Sequence, residues 1–494
     1  MILIPLLLAL PQEVGHTRSR LETQGRLDSW AAEDMDGNGL VDLILADVGE
    51  GQRALRVHLQ NVASRFSPVP DMNIQVPQGV TSWAVGNFRK DEGQEGLEFL
   101  FFARDGAFVR TQTGRLERLT RATMLLDIPS DKLLPRWTVV EDLDGDGLDE
   151  VVLVTWEGFE ILSPDGVLRG SIPLSLDEPR SPAAEVMVLG VGRPKMTSEE
   201  LSDLFVPDDG LGVIEPPPLL HAEIRLPKPF LVEVNGDKKL DLSWYRDGKI
   251  NLHFQNGEGQ FSPQPDRVLE LPPVEGFDNE RLDWVGLGGG SADDLLLVRS
   301  RSAGFLSGDW QTWVWFDAGQ KPRLGDPEGI WKLDAGWVQP WVEDMDGDGF
   351  QDLALSGWHL DVGLAGRRGA SVRHELTTYP SLGGRGLDRR AAFKHERNYG
   401  VGDLEAFSLV PAVVPDLDGD GKGDLLESTA QGHLESRRIL GLGKKMNPSS
   451  DISFEIPLGV LGSMVEVLDL NSDGVGDIMV RGFSSWDLFL TDMR

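Results

Sequence analysis

The chain contains no cysteine, which removes disulfides, thiolate nucleophiles and zinc–thiolate sites from consideration. Histidine is sparse: His16, His58, His221, His253, His359, His374, His395 and His433 include no pair at metal-ligand spacing on a helix. Positive charge is also short, with 47 Lys and Arg against 80 Asp and Glu and a net charge of −33. Unaided nucleic-acid binding needs a basic footprint, so that class is excluded. No apolar run reaches the roughly 18 residues of a membrane span. A Gly-x-Ser-x-Gly elbow is absent, and Gly441-Leu-Gly-Lys-Lys lacks Walker spacing, so neither a hydrolase elbow nor a phosphate loop is indicated.

Five stretches share one acidic pattern: Asp34-Met-Asp36-Gly-Asn38-Gly-Leu40-Val-Asp42, Asp142-Leu-Asp144-Gly-Asp146-Gly-Leu148-Asp-Glu150, Asp344-Met-Asp346-Gly-Asp348-Gly-Phe350-Gln-Asp352, Asp416-Leu-Asp418-Gly-Asp420-Gly-Lys422-Gly-Asp424 and Asp469-Leu-Asn471-Ser-Asp473-Gly-Val475-Gly-Asp477. Side-chain oxygens at positions 1, 3, 5 and 9, with glycine allowing a tight turn, form a cage for a hard divalent cation. Calcium suits it, because it accepts six to eight oxygens in flexible geometry. A sixth, weaker copy is Glu233-Val-Asn235-Gly-Asp237-Lys-Lys-Leu-Asp241. An EF-hand would need helical flanks and a Glu at position 12, where this chain has Leu45, Leu153, Leu355, Glu427 and Val480. Short apolar runs border each loop instead, such as Val151-Val-Leu-Val and Val465-Glu-Val-Leu, and these read as buried strands.

Three further copies keep the strands and lose the cage: Trp83 to Glu98, Val186 to Asp203, and Trp284 to Asp294. The acidic residue opening the second strand recurs as Asp42, Glu98, Glu150, Asp203, Asp241, Asp294, Asp352, Asp424 and Asp477. Spacings of roughly 50 to 60 residues indicate a repeat array, and four antiparallel strands fill such a period. The expected fold is all-β: a single propeller of four-stranded blades, eight or nine in number, with seven also open. The last copy shows three strands, and the segment around Ser19 to Thr23 is expected to supply its fourth.

These loops and their flanks resemble the FG-GAP/VCBS repeats of integrin-α-type propellers, in which a D-x-D-G-D-G-x-x-D loop joins the first two strands of a blade. The resemblance spans nearly the whole chain after about residue 25. It implies side-chain ligands at positions 1, 3, 5 and 9 and a backbone carbonyl ligand at position 7, here Leu40, Leu148, Phe350, Lys422 and Val475. It also places the cages away from the ligand face. Asn38 and Asn471 depart from the family's carboxylates, as does Glu150 from its final Asp. With four carboxylates each, the Asp344 and Asp416 loops are expected to hold metal more tightly than the Asp34, Asp469 and Glu233 loops.

Residues 1–14 read as a signal-peptide core without the usual basic start, and 15–494 as the propeller, with irregular insertions near 192–204 and 359–405. Extracellular calcium modules bind at roughly 0.1–1 mM, so a secreted, cell-surface or periplasmic setting is expected. Within the first insertion, Thr197 to Phe205 reads as a helical turn with a capping box. Within the second, Leu387 to Asn398 is helix-compatible and basic (Arg385, Arg389, Arg390, Lys394, Arg397), either a binding excursion for an acidic glycan or a locally balanced surface. Trp30, Trp83, Trp137, Trp284 and Trp341 follow the repeat and should pack between blades. Trp310, Trp313 and Trp315 alternate and are better candidates for an exposed stacking platform. The functional expectation is a binding, adhesion or scaffold module for a protein or glycan. The alternative is a polysaccharide-active lyase or hydrolase built on the same calcium propeller.

Overall fold

The computed structural model describes residues 14–493 apart from gaps, the largest being 125–132, 175–226, 362–370 and 401–411. Seven four-stranded antiparallel sheets, and an eighth whose four strands are joined by the short extra strand Asn447–Pro448, account for almost every described strand. Blade 1 comprises Arg26–Glu33, Asp42–Gly49, Gln52–His58 and Met72–Gln75. Blade 2 comprises Val80–Gly86, Glu98–Ala103, Gly106–Arg110 and Leu116–Thr120. Blade 3 is Val140–Glu141, Glu150–Val154, Gly158–Leu162 and Leu168–Pro173. Blade 4 is Pro229–Val232, Asp241–Arg246, Lys249–His253 and Arg267–Glu270. Blade 5 follows with Asn279–Val285, Asp294–Ser302, Gly308–Trp315 and Gly329–Asp334. Blade 6 has Trp337–Glu343, Asp352–Asp361, Ser371–Tyr379 and Lys394–Gly400. Blade 7 has Val413–Val414, Asp424–Ser428, His433–Leu440 and Phe454–Pro457. Blade 8 joins Met464–Leu468, Asp477–Arg481 and Ser485–Met493 to Val14–Glu22 from the other end of the chain.

The expected closure is therefore present, with continuous pairing from Val14 against Met493 to Glu22 against Ser485. Among the described residues, the blades number eight. The Val186–Asp203 copy and the Thr197–Phe205 turn lie outside the described residues.

Apolar side chains explain why the sheets stack into a ring. Ile44, Leu55 and Val57 of blade 1 pack with Val80, Trp83, Phe99 and Phe101 of blade 2. Equivalent clusters join each successive pair of blades, and Leu470, Met479 and Leu488 of blade 8 return to Leu27, Leu43 and Leu45 of blade 1. Second strands are covered on both faces, hence unbroken buried runs such as Glu150–Val154. Trp83 and Trp137 are buried as expected, and the Trp83 indole donates to Ser29 Oγ of the preceding blade at 2.9 Å.

Two expectations are corrected. Trp313 and Trp315 form no exposed platform; both are buried against blade 4, and Trp310 donates to Ala335 O at 3.0 Å. Trp313 and Trp315 do share a face, but in a propeller that face is covered by the neighbouring blade, here blade 4, while Trp310 packs on the opposite side with the cluster that joins blades 5 and 6. The helix-compatible reading of Leu387 to Asn398 fails over Lys394–Gly400, the fourth strand of blade 6. His395, Arg397 and Tyr399 turn inward there while Lys394, Glu396 and Asn398 face solvent.

Candidate metal loops

Every acidic loop joins the first strand of its blade to the second. Positions 4 and 6 require a left-handed backbone, and that requirement dictates the glycines. Gly37 and Gly39 have φ of 74° and 83°, Gly347 and Gly349 of 74° and 86°. Where glycine is missing, the conformation persists: Ser472 has φ 58° and Lys238 φ 68°. The Glu233 copy therefore folds as the same loop despite its degenerate sequence.

Carboxylates hold the turn by accepting backbone N–H groups. Position 1 serves positions 4 to 6: Asp344 accepts from Gly347 (2.8 Å), Asp348 (3.2 Å) and Gly349 (2.8 Å). Position 5 accepts from position 7, as Asp146 does from Leu148 (2.9 Å), Asp420 from Lys422 (3.1 Å), Asn38 from Leu40 (2.7 Å) and Asp473 from Val475 (2.9 Å). Position 9 heads the second strand and is buried in every blade, from Asp42 and Asp477 at 0 % exposure to Glu98 at 6 %. One oxygen of this residue accepts the N–H of position 2: Met35 to Asp42, Leu143 to Glu150, Val234 to Asp241, Met345 to Asp352, Leu417 to Asp424 and Leu470 to Asp477. The other oxygen accepts an N–H from the end of the third strand or just beyond it in five blades, from Gln60, Gln255, Asp317, Ser381 and Thr491.

Burial foremost raises these carboxyls. Asp42 and Asp294 are pushed up to about 6, Glu150, Asp241, Asp352 and Asp477 to about 7, and Asp424 to about 8. Ionised and without a nearby cation, they are costly groups to bury.

The cages differ in how closely they gather their oxygens. Asp34, Asp36 and Asp42, and likewise Asp416, Asp418 and Asp424, bring ligand atoms within 4.8 Å of one another. So do Asp142, Asp144 and Asp146, and Asp344, Asp346 and Asp348. Among the described residues, the Asp469 and Glu233 loops form no such acidic triad. In the former, Asn471 Nδ2 donates to Asp473 Oδ2 at 3.1 Å; in the latter, Asn235 Nδ2 donates to Asp241 Oδ1 at 3.3 Å. Asp418 Oδ1 is buried without a hydrogen-bond partner, a state that a bound cation would resolve.

Sequence reasoning missed two arginines. Arg169 bonds Asp144 Oδ2 and lies 3.2 Å from Glu150, while Arg438 bonds Asp418 Oδ2. Strand register is the signal that reveals them: Arg438 stands directly opposite Asp424, and Arg169 is the extra residue of a bulge between Leu168 and Gly170. Also missed was a link between neighbouring loops. The residue before position 9 donates its N–H to the preceding loop: Leu97 to Met35 O (3.2 Å), Asp149 to Asn87 O (2.8 Å), Asp293 to Glu233 O (2.6 Å), Gly423 to Asp344 O (2.9 Å) and Gly476 to Asp416 O (2.6 Å).

Away from the loops, basic side chains of blades 6 and 7 gather around buried acids. Glu375 takes Arg373 (2.9 Å) and Lys394 (3.0 Å), and Glu427 takes His395 (2.8 Å) and Arg397 (3.0 Å). His374, pushed down to about 4 mainly by burial, bonds Ser356 Oγ and stacks on Trp358. Trp156, at 60 % exposure, is the most exposed tryptophan among the described residues and occupies the turn between the second and third strands of blade 3.

No protein-family profile matches the sequence, and no curated protein matches it. Among solved structures, the chain is similar to BBS1N in complex with ARL6DN, at 9 % identity and TM-score 0.37, over 97 % of this chain and 98 % of that one. It is also similar to the WD40 domain of SCAP from fission yeast, at 11 % identity and TM-score 0.38, covering 96 % and 98 %. An Agrocybe aegerita lectin that recognises non-reducing terminal N-acetylglucosamine aligns at 10 % identity and TM-score 0.31, covering 77 % and 99 %. Likenesses this distant carry no functional argument. Among the described residues, no helix is long and apolar enough to cross a membrane.

Proposed function

We propose that the protein is a calcium-stabilised propeller acting outside the cytoplasm as a binding scaffold for a protein or glycan partner. The observation that carries the metal reading is the set of four acidic triads whose oxygens lie within 4.8 Å of one another. A cation roughly 2.3–2.6 Å from each oxygen fits that separation. Positions 1, 3, 5 and 9 would hold it with their side chains, and position 7 with its carbonyl. Repetition around the ring favours a structural role: bound metal offsets charge that burial makes costly, and metal that binds only the folded state stabilises it by mass action. Calcium titration by calorimetry, paired with thermal unfolding in calcium and in chelator, tests this. Unchanged melting and no heat of binding would end the calcium reading.

Binding is favoured over catalysis because the His, Lys and Arg side chains gathered in blades 6 and 7 are engaged with Glu375 and Glu427. The same pairing favours a locally balanced surface over an acidic-glycan site at Lys394 and Arg397. A glycan and polysaccharide screen with calcium and with chelator separates the two classes. Retention without degradation supports the binding module; shortened or unsaturated products would move the reading to an enzyme.

A further inference from the structure

We infer that Arg169 and Arg438 are built-in cations that compete with metal, dividing the four cages that gather an acidic triad into a tight class in blades 1 and 6 and a weak class in blades 3 and 7. This rests on the calcium reading above. Arg169 connects position 3 (Asp144) to position 9 (Glu150), two groups that a bound cation would otherwise bridge. Arg438 bonds position 3 (Asp418) from directly across the strand pair at Asp424. The two arginines come from different strands, one a bulge on the fourth and one in register on the third, yet both reach position 3.

The remaining cages lack this device. Among the described residues, no Arg or Lys is ion-paired with a cage carboxylate of blades 1, 6 or 8. There, the second oxygen of position 9 accepts a backbone N–H from Gln60, Ser381 or Thr491. Blades 3 and 7 show no such N–H at position 9 among the described residues, and the arginine stands on that side of the cage. A guanidinium within a few ångströms of a divalent ion repels it strongly, so filling these cages requires the side chain to swing out. The Asp416 loop, expected from its four carboxylates to rank with the Asp344 loop, therefore falls below it. In return, the arginine offsets part of the acidic charge of the blade 3 and blade 7 loops when calcium is absent.

The test is calcium calorimetry on the full chain, wild type against Arg169→Met and Arg438→Met, with melting measured in chelator. The wild type is expected to titrate in two classes. Each Met variant should move one site from the weak to the tight class, with roughly tenfold or greater gain in affinity, and should melt lower in chelator. Arg169→Lys and Arg438→Lys, which keep the charge, should leave the two classes in place. A wild type that fills every cage in one class, or Met variants that bind as the wild type does, would overturn the inference while leaving the calcium reading intact. Absence of calcium binding in every variant would overturn both.

Discussion

Blades 2 and 5 have no cage, yet each keeps the buried acid that heads its second strand. Glu98 accepts the Phe88 N–H at 2.8 Å, and Asp294 accepts those of Leu287 (3.0 Å) and Asp317 (2.7 Å). Blade 6, with a full cage, uses Asp352 in the same way, toward Met345 and Ser381. The comparison divides the motif into two parts. Position 9 anchors the loop to the sheet in caged and cage-free blades alike, whereas the acids at positions 1, 3 and 5 are the part on which the proposed calcium reading rests. A strand-heading acid with no other loop acids is thus still a blade marker.

The largest effect expected from breaking this comparison comes from Asp294→Ala. It strands buried N–H groups of blade 5, so a loss of roughly 2–5 kcal/mol is expected, and added calcium should not restore it. Asp352→Ala should cost as much and also remove a calcium site. Next comes chelation of the wild type. Hydrogen exchange should rise at the loops of blades 1 and 6 and stay constant at those of blades 2 and 5; a uniform rise would erase the distinction.

A pH series sharpens the same contrast. Carboxyls whose folded pKa lies above the unfolded value bind protons more tightly in the folded state, so their burial is least costly at low pH. In chelator, stability should therefore fall as pH rises from about 4 through the 6-to-8 range of Asp42, Asp352, Asp477 and Asp424. Saturating calcium should flatten that slope, since the metal favours the ionised form, while the contribution of Asp294 in cage-free blade 5 should persist. Denaturant unfolding across that range reads both curves. The smallest effect concerns the two non-glycine residues that occupy left-handed positions of the acidic loops. Lys238→Gly and Ser472→Gly should each raise stability by at most about 1 kcal/mol, visible as a small shift in melting temperature.

The repeat was legible because metal-type loops and buried strands both leave period-scale marks: Asp and Gly at fixed offsets, then an apolar run. The closing strand was readable from a deficit, the three-stranded last copy, more than from its own polar residues. What stayed hidden depends on register and on neighbours. Arg438 reaches Asp418 only because strand pairing sets it opposite Asp424. Trp313 and Trp315 could not be assigned to core or surface until the covering blade was known. In Lys394–Gly400 the strand signal was present, since Lys-His-Glu-Arg-Asn-Tyr-Gly alternates outward and inward, but its charge resembled a solvated helix.

Pairing of Val14–Glu22 with Ser485–Met493 also sets an order of events during synthesis. The first of these strands is made before the seven intervening blades and has no partner until they have followed. Through that interval blade 8 exists only as an unpaired edge, and the ring behaves as an open arc that other chains can add to. Ring closure is then a single long-range docking event, slow by topology and vulnerable to a second copy supplying the missing strand.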